Sequence, residues 1–210
     1  PPLVDKSEQK WICNNDAYCP YSLNENRIKL VYSGSTGKNK DKINYIIDAL
    51  WELRNYDNYL LDIVGLRKEQ FIKYYPEYKK KVEDLNKRVF FSGRVSHKES
   101  LFRLKNADYS IFFRDKSRLT LAGFPTKFVE SISCSTPVIT NDSSDISEYF
   151  ENDSSGFLIN DFSTKKLVEV LRSIVNKGVE EENIQSRINS EMFDYRRYQD
   201  VLGDMIKNII

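Results

Sequence analysis

The chain has 210 residues, of which 40% are apolar and 13% aromatic, a composition typical of a folded domain with one sizeable core. Its 32 Lys and Arg residues are balanced by 31 Asp and Glu residues, which argues against a nucleic-acid-binding protein. No apolar run reaches the ~18 residues of a membrane span, and the stretch PPLVDKSEQKW lacks the apolar core of a secretory signal. We therefore expect a cytoplasmic globular protein without a transmembrane segment, in which any anion-binding site is local.

The three cysteines, Cys13, Cys19 and Cys134, are few, odd in number and unaccompanied by pairs of histidines. This usage fits a reducing compartment better than a disulfide framework or a zinc site. We therefore expect neither a disulfide nor a bound metal.

The first 27 residues show no hydrophobic periodicity, begin with two prolines and contain several Asn and Asp residues. They are predicted to form a linker or strap that precedes the domain. From residue 28 onwards, short β-branched and aromatic runs recur, and each is typical of a buried strand. These runs are RIKLVYSG, NYLLDIVG, KRVFFSG, DYSIFF, TPVITND and GFLIND.

Helical patterns separate the predicted strands. Apolar residues recur at three- and four-residue spacing over residues 43–53 and again over residues 167–175. Pro76 interrupts KEQFIKYYPEYKKKVEDLNK, which predicts a kink or two helical pieces there. Ser96 with Glu99 forms a capping-box pattern before LFRLKNA, where a further helix is expected to begin.

The alternation of strands and helices defines the predicted fold. Parallel neighbouring strands need a return path across the sheet, and a helix supplies it. Residues 28–180 are therefore predicted to form an α/β domain, a doubly wound, mainly parallel Rossmann-like sheet with helices on both faces. Residues 181–210 recover helical spacing in FDYRRYQDVLGDMIKNI and are predicted to form a C-terminal helical segment.

In open α/β sheets, ligands bind beyond the carboxyl ends of the strands, where loops expose backbone amides and helix N-termini face the ligand. The loops that follow the predicted strands contain most of the conspicuous glycines and polar clusters. These loops are residues 34–40, 65–68, 93–95, 114–118, 123–130 and 141–144.

The first loop lies in VYSGSTGKNKDK, where an apolar run stops at Gly34. A P-loop needs four residues between its first glycine and its Gly-Lys pair, but only Ser35 and Thr36 intervene here. The residue after the Gly-Lys pair is Asn39, which offers no hydroxyl to magnesium. The pattern instead predicts a glycine turn that brings backbone amides to a diphosphate, with a solvated lysine turn as the alternative. The nearby cations are Lys38, Lys40 and Lys42.

The second cluster lies in GFPTKFVESISCSTPVITND, where Gly123 permits close backbone approach and Pro125 suits a first helical turn. Lys127 near a helix N-terminus opposes the helix dipole, which favours an anion beside it. Glu130 has two interpretations: it pairs with Lys127 one turn away, or its oxygens hold a pair of ribose hydroxyls.

Four stretches carry a resemblance that extends over nearly the whole chain. They are RIKLVYSGS with Lys40 after it, RVFFSGRVSHKESLFRLKNADYSIFF, GFPTKFVESISCSTPVITND, and Glu148 followed by SGFLIND. In this order and spacing they resemble the carboxyl-terminal, donor-binding half of a GT-B glycosyltransferase of the group 1 type, whose members are retaining enzymes that use nucleoside-diphosphate sugars. The resemblance implies that residues 1–27 end the interdomain connection and that residues 181–210 brace an absent N-terminal acceptor domain.

The resemblance also implies roles for individual residues. Glu130 matches the last glutamate of the family's glutamate-x7-glutamate motif, which holds the nucleotide ribose, whereas Ala122 stands in the place of the first glutamate. Ser35 occupies the place of an arginine that contacts the donor phosphates. The expected diphosphate-binding residues are Gly34, Lys40 and Lys127.

The resemblance also suggests ligand-binding roles for the loops at residues 93–95 and 123–126, whereas the only histidine is expected to have no part in catalysis. His97 follows the Ser96 cap, where an exposed surface role is expected, and the family's catalytic histidine belongs to the other domain. No catalytic residue is assigned within this half. The residues expected to border the nucleobase are Gly93, Arg94 and Val95. The residues expected in a donor-sugar loop are Gly123, Phe124, Pro125 and Thr126.

The predicted function is therefore nucleotide-sugar binding in a glycosyltransferase that acts on a glycan or lipid-linked acceptor, in bacterial surface polysaccharide synthesis. The expected partner is the nucleotide-sugar donor, with no metal or other cofactor. Peripheral membrane contact is expected only through the absent domain, and the isolated chain is expected to be inactive. Two alternatives stay open: a non-catalytic nucleotide- or partner-binding α/β module, and a sugar-nucleotide epimerase of the GT-B fold.

Overall fold

Six strands form one parallel sheet in the part of the chain that the structure describes. This computed structural model describes residues 1–11, 19–22, 26–34, 41–150, 155–178 and 188–207. The strands are β1 (Ile28–Ser33), β2 (Tyr59–Val64), β3 (Val89–Gly93), β4 (Tyr109–Phe112), β5 (Val138–Asn141) and β6 (Gly156–Ile159). Their order is β3-β2-β1-β4-β5-β6, and every neighbouring pair is parallel. The strand order therefore reverses between β1 and β4, where doubly wound sheets bind their ligands.

Eight α-helices lie between or after these strands in the described part of the chain. They are α1 (Ile43–Glu52), α2 (Lys68–Tyr74), α3 (Lys79–Asp84), α4 (His97–Lys105), α5 (Arg118–Leu121), α6 (Thr126–Ser133), α7 (Thr164–Lys177) and α8 (Gln199–Lys207). The six predicted strands and the doubly wound fold are thus confirmed.

The central strands are buried on both faces, as covered parallel sheets require. All six residues of β1 and all six of β2 are buried. Along β1, Leu30 and Tyr32 join the larger core cluster, whereas Val31 packs with Val64 and Leu101 in a smaller one. The alternation of side chains along the strand therefore divides one apolar run between two helical layers.

Two local predictions concern the ends of helices. Pro76 divides its segment as expected, because α2 ends at Tyr74, a 3-10 turn covers Pro76–Tyr78, and α3 follows. At α4, the Ser96 hydroxyl accepts a hydrogen bond from the Glu99 amide, which confirms the N-cap. The Glu99 carboxylate, however, accepts a hydrogen bond from Arg103 at 2.5 Å, so the interaction expected for the second half of the capping box is replaced by an ion pair.

Gly156 at the start of β6 meets a steric requirement of the sheet. Its φ is +118°, and a Cβ atom at this position would lie 2.1 Å from the Val138 carbonyl oxygen. Only glycine lets β6 approach β5 this closely, because the strained backbone and the contact with a main-chain atom both exclude a side chain.

The first residues of the chain contact the segment that precedes α8. Val4 forms a parallel bridge with Asp194, and the Lys6 ammonium lies 2.7 Å from Glu191 Oε1. Phe193 is fully buried in the larger core. The domain boundaries at residues 27 and 180 and the bracing role of the C-terminal segment stay predictions. On α8, the described apolar side chains Val201, Met205 and Ile206 are each 58% exposed.

None of the helices in the described ranges combines the length and the hydropathy that a membrane span needs.

Candidate functional site

A cleft of about 790 Å³ opens at the carboxyl edge of the sheet. Its walls are the ends of β1 and β2, the loop after β3, and residues of α4 and α6. Six of the predicted site residues line this one cleft, and they are Gly34, Arg94, Val95, Thr126, Lys127 and Glu130. Loops from both sides of the β1–β4 switch point therefore meet in a single concave site.

Lys127 is held at the rim of the cleft by a buried carboxylate. Its Nζ lies 2.9 Å from Oδ2 of Asp41, whose side chain is 2% exposed. A Cβ atom at Gly34 would lie 2.1 Å from the same Nζ, so the ammonium rests directly over the Gly34 backbone. The anion that the dipole argument demanded beside Lys127 is thus supplied by the protein itself, and the expected Lys127–Glu130 alternative is wrong for this structure.

Asp41 is the centre of a buried polar cluster. The Tyr32 hydroxyl donates a hydrogen bond to Asp41 Oδ2 at 2.6 Å, and Nε of Arg114 lies 3.7 Å from Oδ1. Burial raises the pKa of the Tyr32 hydroxyl well above its ordinary value, and Asp41 acts in the same direction. Burial lowers the pKa of the Arg114 guanidinium, although the charge of Asp41 opposes that shift. One carboxylate therefore joins two cations and a neutral phenol.

The main chain ties this cluster to both halves of the sheet. Asp41 forms an antiparallel bridge with Arg114 at the end of β4, and Asn141 at the end of β5 bonds the Arg114 backbone through both its side-chain atoms at 2.8 Å. Arg114 also donates to the Gly123 carbonyl oxygen at 3.3 Å. The loop after β1 is therefore fixed against the loop that precedes α6.

A smaller pocket of about 100 Å³ adjoins the cleft at this cluster. The expected donor-sugar loop lies here and not in the main cleft, apart from Thr126, which lines both. The residues of this pocket are Asp41, Arg114, Leu119, Gly123, Phe124, Pro125, Thr126 and Lys127.

Helix α6 presents its N-terminus to both pockets. Its N-cap is Pro125, whose side chain forms no capping hydrogen bond because proline carries no acceptor there. The Phe128 amide reaches the Pro125 carbonyl oxygen at 3.0 Å, but the amides at the start of a helix have no partner of their own within it. Such an N-terminus favours an anionic ligand.

Glu130 is held from the opposite side of the cleft. Its Oε1 lies 3.0 Å from Nε2 of His97, and the two side chains are 24% and 48% exposed. The expectation that His97 is exposed is confirmed, because its side chain is 48% accessible, but the contact with Glu130 was not expected.

The far end of the cleft carries two arginines. Arg67 and Arg94 both line it, and the Arg67 stem packs on Gly93, where an added Cβ would lie 3.1 Å from Cγ. Gly93 itself has a φ of +65° and is buried. The loop expected to border a nucleobase thus forms part of the cleft through Arg94 and Val95, with Arg67 beside it.

Gly34 contributes to the site in another way than predicted. The Gly34 amide donates to the Val64 carbonyl oxygen at 3.2 Å, so this amide belongs to the sheet and is not available to a phosphate. Gly34 contributes to the site because the absence of a side chain lets the Lys127 ammonium lie against its backbone. Lys40, together with Ser35 and Lys38, lies outside the described residues.

Sequence reasoning missed Asp41, Arg67 and His97 as members of the site. Arg67 falls in a loop that the strand-end rule selects, so position alone could have found it. Asp41 lies within three positions of Lys38, Lys40 and Lys42 in the sequence, a pattern typical of a solvated charged turn. Asp41 becomes buried because its backbone pairs with Arg114 at the end of β4, a long-range contact that no local sequence pattern predicts.

The match to a known family covers most of the chain. Residues 20–191 match the family model described as "Glycosyl transferases group 1". The chain belongs to the group 1 glycosyl transferases. All the cleft residues described above lie within the matched range. No curated protein is significantly similar in sequence to this group 1 glycosyl transferase chain.

Solved structures similar to this group 1 glycosyl transferase include two that are about twice its length. HepE of Anabaena, solved in complex with UDP and glucose, gives a TM-score of 0.62 at 18% identity, covering 87% of this chain and 49% of HepE. WaaG, a glycosyltransferase involved in lipopolysaccharide biosynthesis, gives 0.56 at 25% identity, covering 85% of this chain and 44% of WaaG. The chain therefore spans about half the length of these relatives.

A third similar structure has nearly the same length as this chain. It is the C-terminal domain of LpcC, a group 1 family protein from Francisella tularensis, with a TM-score of 0.59 at 16% identity. The match covers 82% of this chain and 85% of that domain. At this identity, and at that of HepE, the likeness shows a shared fold alone.

Proposed function

We propose that the cleft binds the nucleoside-diphosphate sugar donor of a glycosyl transferase. The observation that carries this proposal is that three cations and one carboxylate line a single cleft at the switch point of a doubly wound sheet. The cations are Arg67, Arg94 and Lys127, and the carboxylate is Glu130. A ligand with an anionic middle and a hydroxyl-bearing flank matches this arrangement.

The diphosphate lies between the N-terminus of α6 and the cationic side chains. An ammonium has three donors, and Asp41 takes one from Lys127, so two stay available to phosphate oxygens. Arg67 supplies the charge that the family's arginine would provide at Ser35, and Lys40 adds to it. As the bond to the anomeric carbon breaks, these groups stabilise the charge that develops on the departing nucleoside diphosphate.

The rest of the donor extends in two directions. Glu130 accepts hydrogen bonds from the two ribose hydroxyls, and the base lies by Gly93, Arg94 and Val95. The sugar enters the smaller pocket beside residues 123–126. In this chain Ala122 stands in the place of the family's first motif glutamate. Asp41 and Arg114 provide the polar groups of the smaller pocket instead.

In the full-length enzyme, an N-terminal domain supplies the acceptor site and the sugar passes to a glycan or lipid-linked acceptor. Support comes from the half-length coverage of HepE and WaaG and from the match to a C-terminal domain. HepE was solved with UDP and glucose, and WaaG acts in lipopolysaccharide biosynthesis. We accordingly place the enzyme in bacterial surface polysaccharide synthesis at the cytoplasmic side of the membrane, without a metal cofactor.

A second candidate is a nucleotide-binding module that transfers no sugar. Two observations favour it: Ala122 replaces the first motif glutamate, and Lys127 is already paired with Asp41. Both candidates bind nucleotide, so they diverge only in turnover by the full-length protein.

Calorimetric titration with UDP, GDP and their sugars tests the shared prediction. We expect saturable binding by at least one nucleotide, and the absence of binding by all of them would contradict the donor-site proposal.

Glu130→Ala should weaken nucleotide binding about tenfold or more, because hydrogen bonds to a charged acceptor contribute about 1.5–3 kcal/mol, but it should leave pyrophosphate binding unchanged. Glu169→Ala, an exposed glutamate on α7, is the matched control.

A further inference from the structure

His97 and Glu130 meet across two helices. His97 is the first residue of α4 and directly follows the Ser96 cap, whereas Glu130 lies in the middle of α6. The distance from Nε2 to Oε1 is 3.0 Å, and both side chains line the cleft. Because an ionised carboxylate only accepts, Nε2 must carry the proton, either in the Nε2–H tautomer of the neutral imidazole or in the imidazolium.

Glu130 depends on His97 for its orientation. The helical neighbour that would otherwise hold it, Lys127, is turned away to Asp41. Among the residues that the structure describes, His97 supplies the one hydrogen bond to the Glu130 side chain. A glutamate with a single anchor samples many rotamers once that anchor is removed.

His97, in turn, sits on a firmly anchored helix. Arg103 of α4 is 2% exposed and donates to Asp62 Oδ2 of β2 at 2.7 Å. Ser100, one turn after His97, lies 2.5 Å from the Ser33 hydroxyl at the end of β1. The start of α4 is therefore fixed relative to the floor of the cleft.

We propose that His97 is a positioning residue that holds the Glu130 carboxylate in the orientation that receives the ribose diol of the donor. This inference rests on the proposed function. A carboxylate has about four lone-pair sites, so Oε1 can accept from His97 and still share the two ribose hydroxyls with Oε2. His97 contributes no atom to the reaction; it reduces the conformational freedom that Glu130 would lose when the nucleotide binds.

The size of the effect follows from that lost freedom. Ordering one rotamer-rich side chain on binding corresponds to an affinity change of about three- to tenfold. His97→Leu should therefore weaken nucleotide binding by about three- to tenfold. His97→Gln should recover most of the loss, because its side-chain amide can also donate to Glu130.

The deciding measurement compares ribonucleotides with 2′,3′-dideoxynucleotides. Calorimetry would use this chain with UDP, GDP and ADP and with the dideoxy form of whichever binds. We expect His97→Leu to weaken the ribonucleotide alone and to leave the dideoxy form unchanged, as Glu130→Ala should. Lys98→Gln, the exposed neighbour on α4, should change neither. An equal loss for both ligand forms, or no loss at all, would overturn the positioning role.

The failure of this inference can be told apart from the failure of the proposed function. If no nucleotide binds the unaltered chain, the donor site is wrong and the inference fails with it. If nucleotides bind and Glu130→Ala removes the preference for ribose but His97→Leu does not, only the inference fails. Because the chain has a single histidine, the imidazole ¹⁵N resonances also report the contact directly, and they should shift in Glu130→Gln without any ligand.

Discussion

The two ends of the cleft carry similar cations in opposite electrostatic settings. At the β4 end, Lys127 in the cleft and Arg114 in the adjoining smaller pocket share the buried carboxylate of Asp41. At the β3 end, Arg67 and Arg94 line the same cleft, and in the described part of the chain neither forms an ion pair with a carboxylate. At the first end, two cations therefore share one internal counter-ion, whereas at the second end the guanidinium charges have no carboxylate partner among the described residues.

This difference separates a structural role from a binding role. A buried carboxylate between two cations fixes the loop after β1 to β4, and it directs Lys127 over Gly34. Unpaired guanidiniums do not hold the fold together, but they attract an anion strongly. Substitutions should accordingly affect mainly stability at the first end and mainly affinity at the second.

The largest expected effect is the loss of stability in Asp41→Ala. This change leaves Lys127 and the buried Arg114 without their shared counter-ion and removes the acceptor of the Tyr32 hydroxyl. Removing one partner of a buried ion pair typically reduces the free energy of unfolding by about 3–5 kcal/mol. Urea unfolding monitored by circular dichroism measures this loss.

A second aspartate in the same region serves as its control. Asp115 pairs with Lys42 at 3.1 Å, but its side chain is 34% exposed. This pair is partly exposed, and ion pairs that solvent screens contribute about 0–1 kcal/mol, so Asp115→Ala should have a much smaller effect than Asp41→Ala. Similar losses in the two variants would contradict the contrast between a buried network and a surface pair.

The next effect concerns binding at the other end of the cleft. Arg67→Gln should weaken pyrophosphate binding about 10- to 100-fold, because hydrogen bonds between charged groups contribute about 1.5–3 kcal/mol each. Its stability should change little. Lys68→Gln, which removes the same charge from the next residue, lies outside the cleft and is the matched control. If Lys68→Gln reduces affinity equally, Arg67 acts only through net charge.

The fold was predictable from the sequence because its signals are local. Six apolar runs bounded by turn residues alternate with helical periodicity, and right-handed crossovers leave few ways to arrange them. The strand-end rule also selected the loops of the cleft, including those of Gly34, Gly93 and Lys127. Each of these inferences needs only the order of elements along the chain.

The partners of the site residues were not predictable, because they depend on contacts between distant segments. Asp41 and Lys127 are 86 positions apart in the numbering and meet only after β1 and β4 pair. Likewise, His97 reaches Glu130 only because α4 and α6 pack at the same edge. Charged residues that look solvated in the sequence become buried or paired through such packing.

The smallest expected effect is a gain in affinity that tests whether Asp41 opposes the ligand. Asp41→Asn keeps the size of the side chain and an acceptor oxygen for Tyr32, but it removes the negative charge beside Lys127. A diphosphate bound at Lys127 then meets a full positive charge. We expect pyrophosphate to bind about fivefold more tightly, which corresponds to about 1 kcal/mol for a partly screened charge.

Calorimetry of Asp41→Asn alone and combined with Lys127→Gln measures the effect, and the gain should disappear in the double variant. A gain that persists without Lys127 would place the added attraction at Arg114, and an unchanged affinity would show that the diphosphate does not reach this end of the cleft.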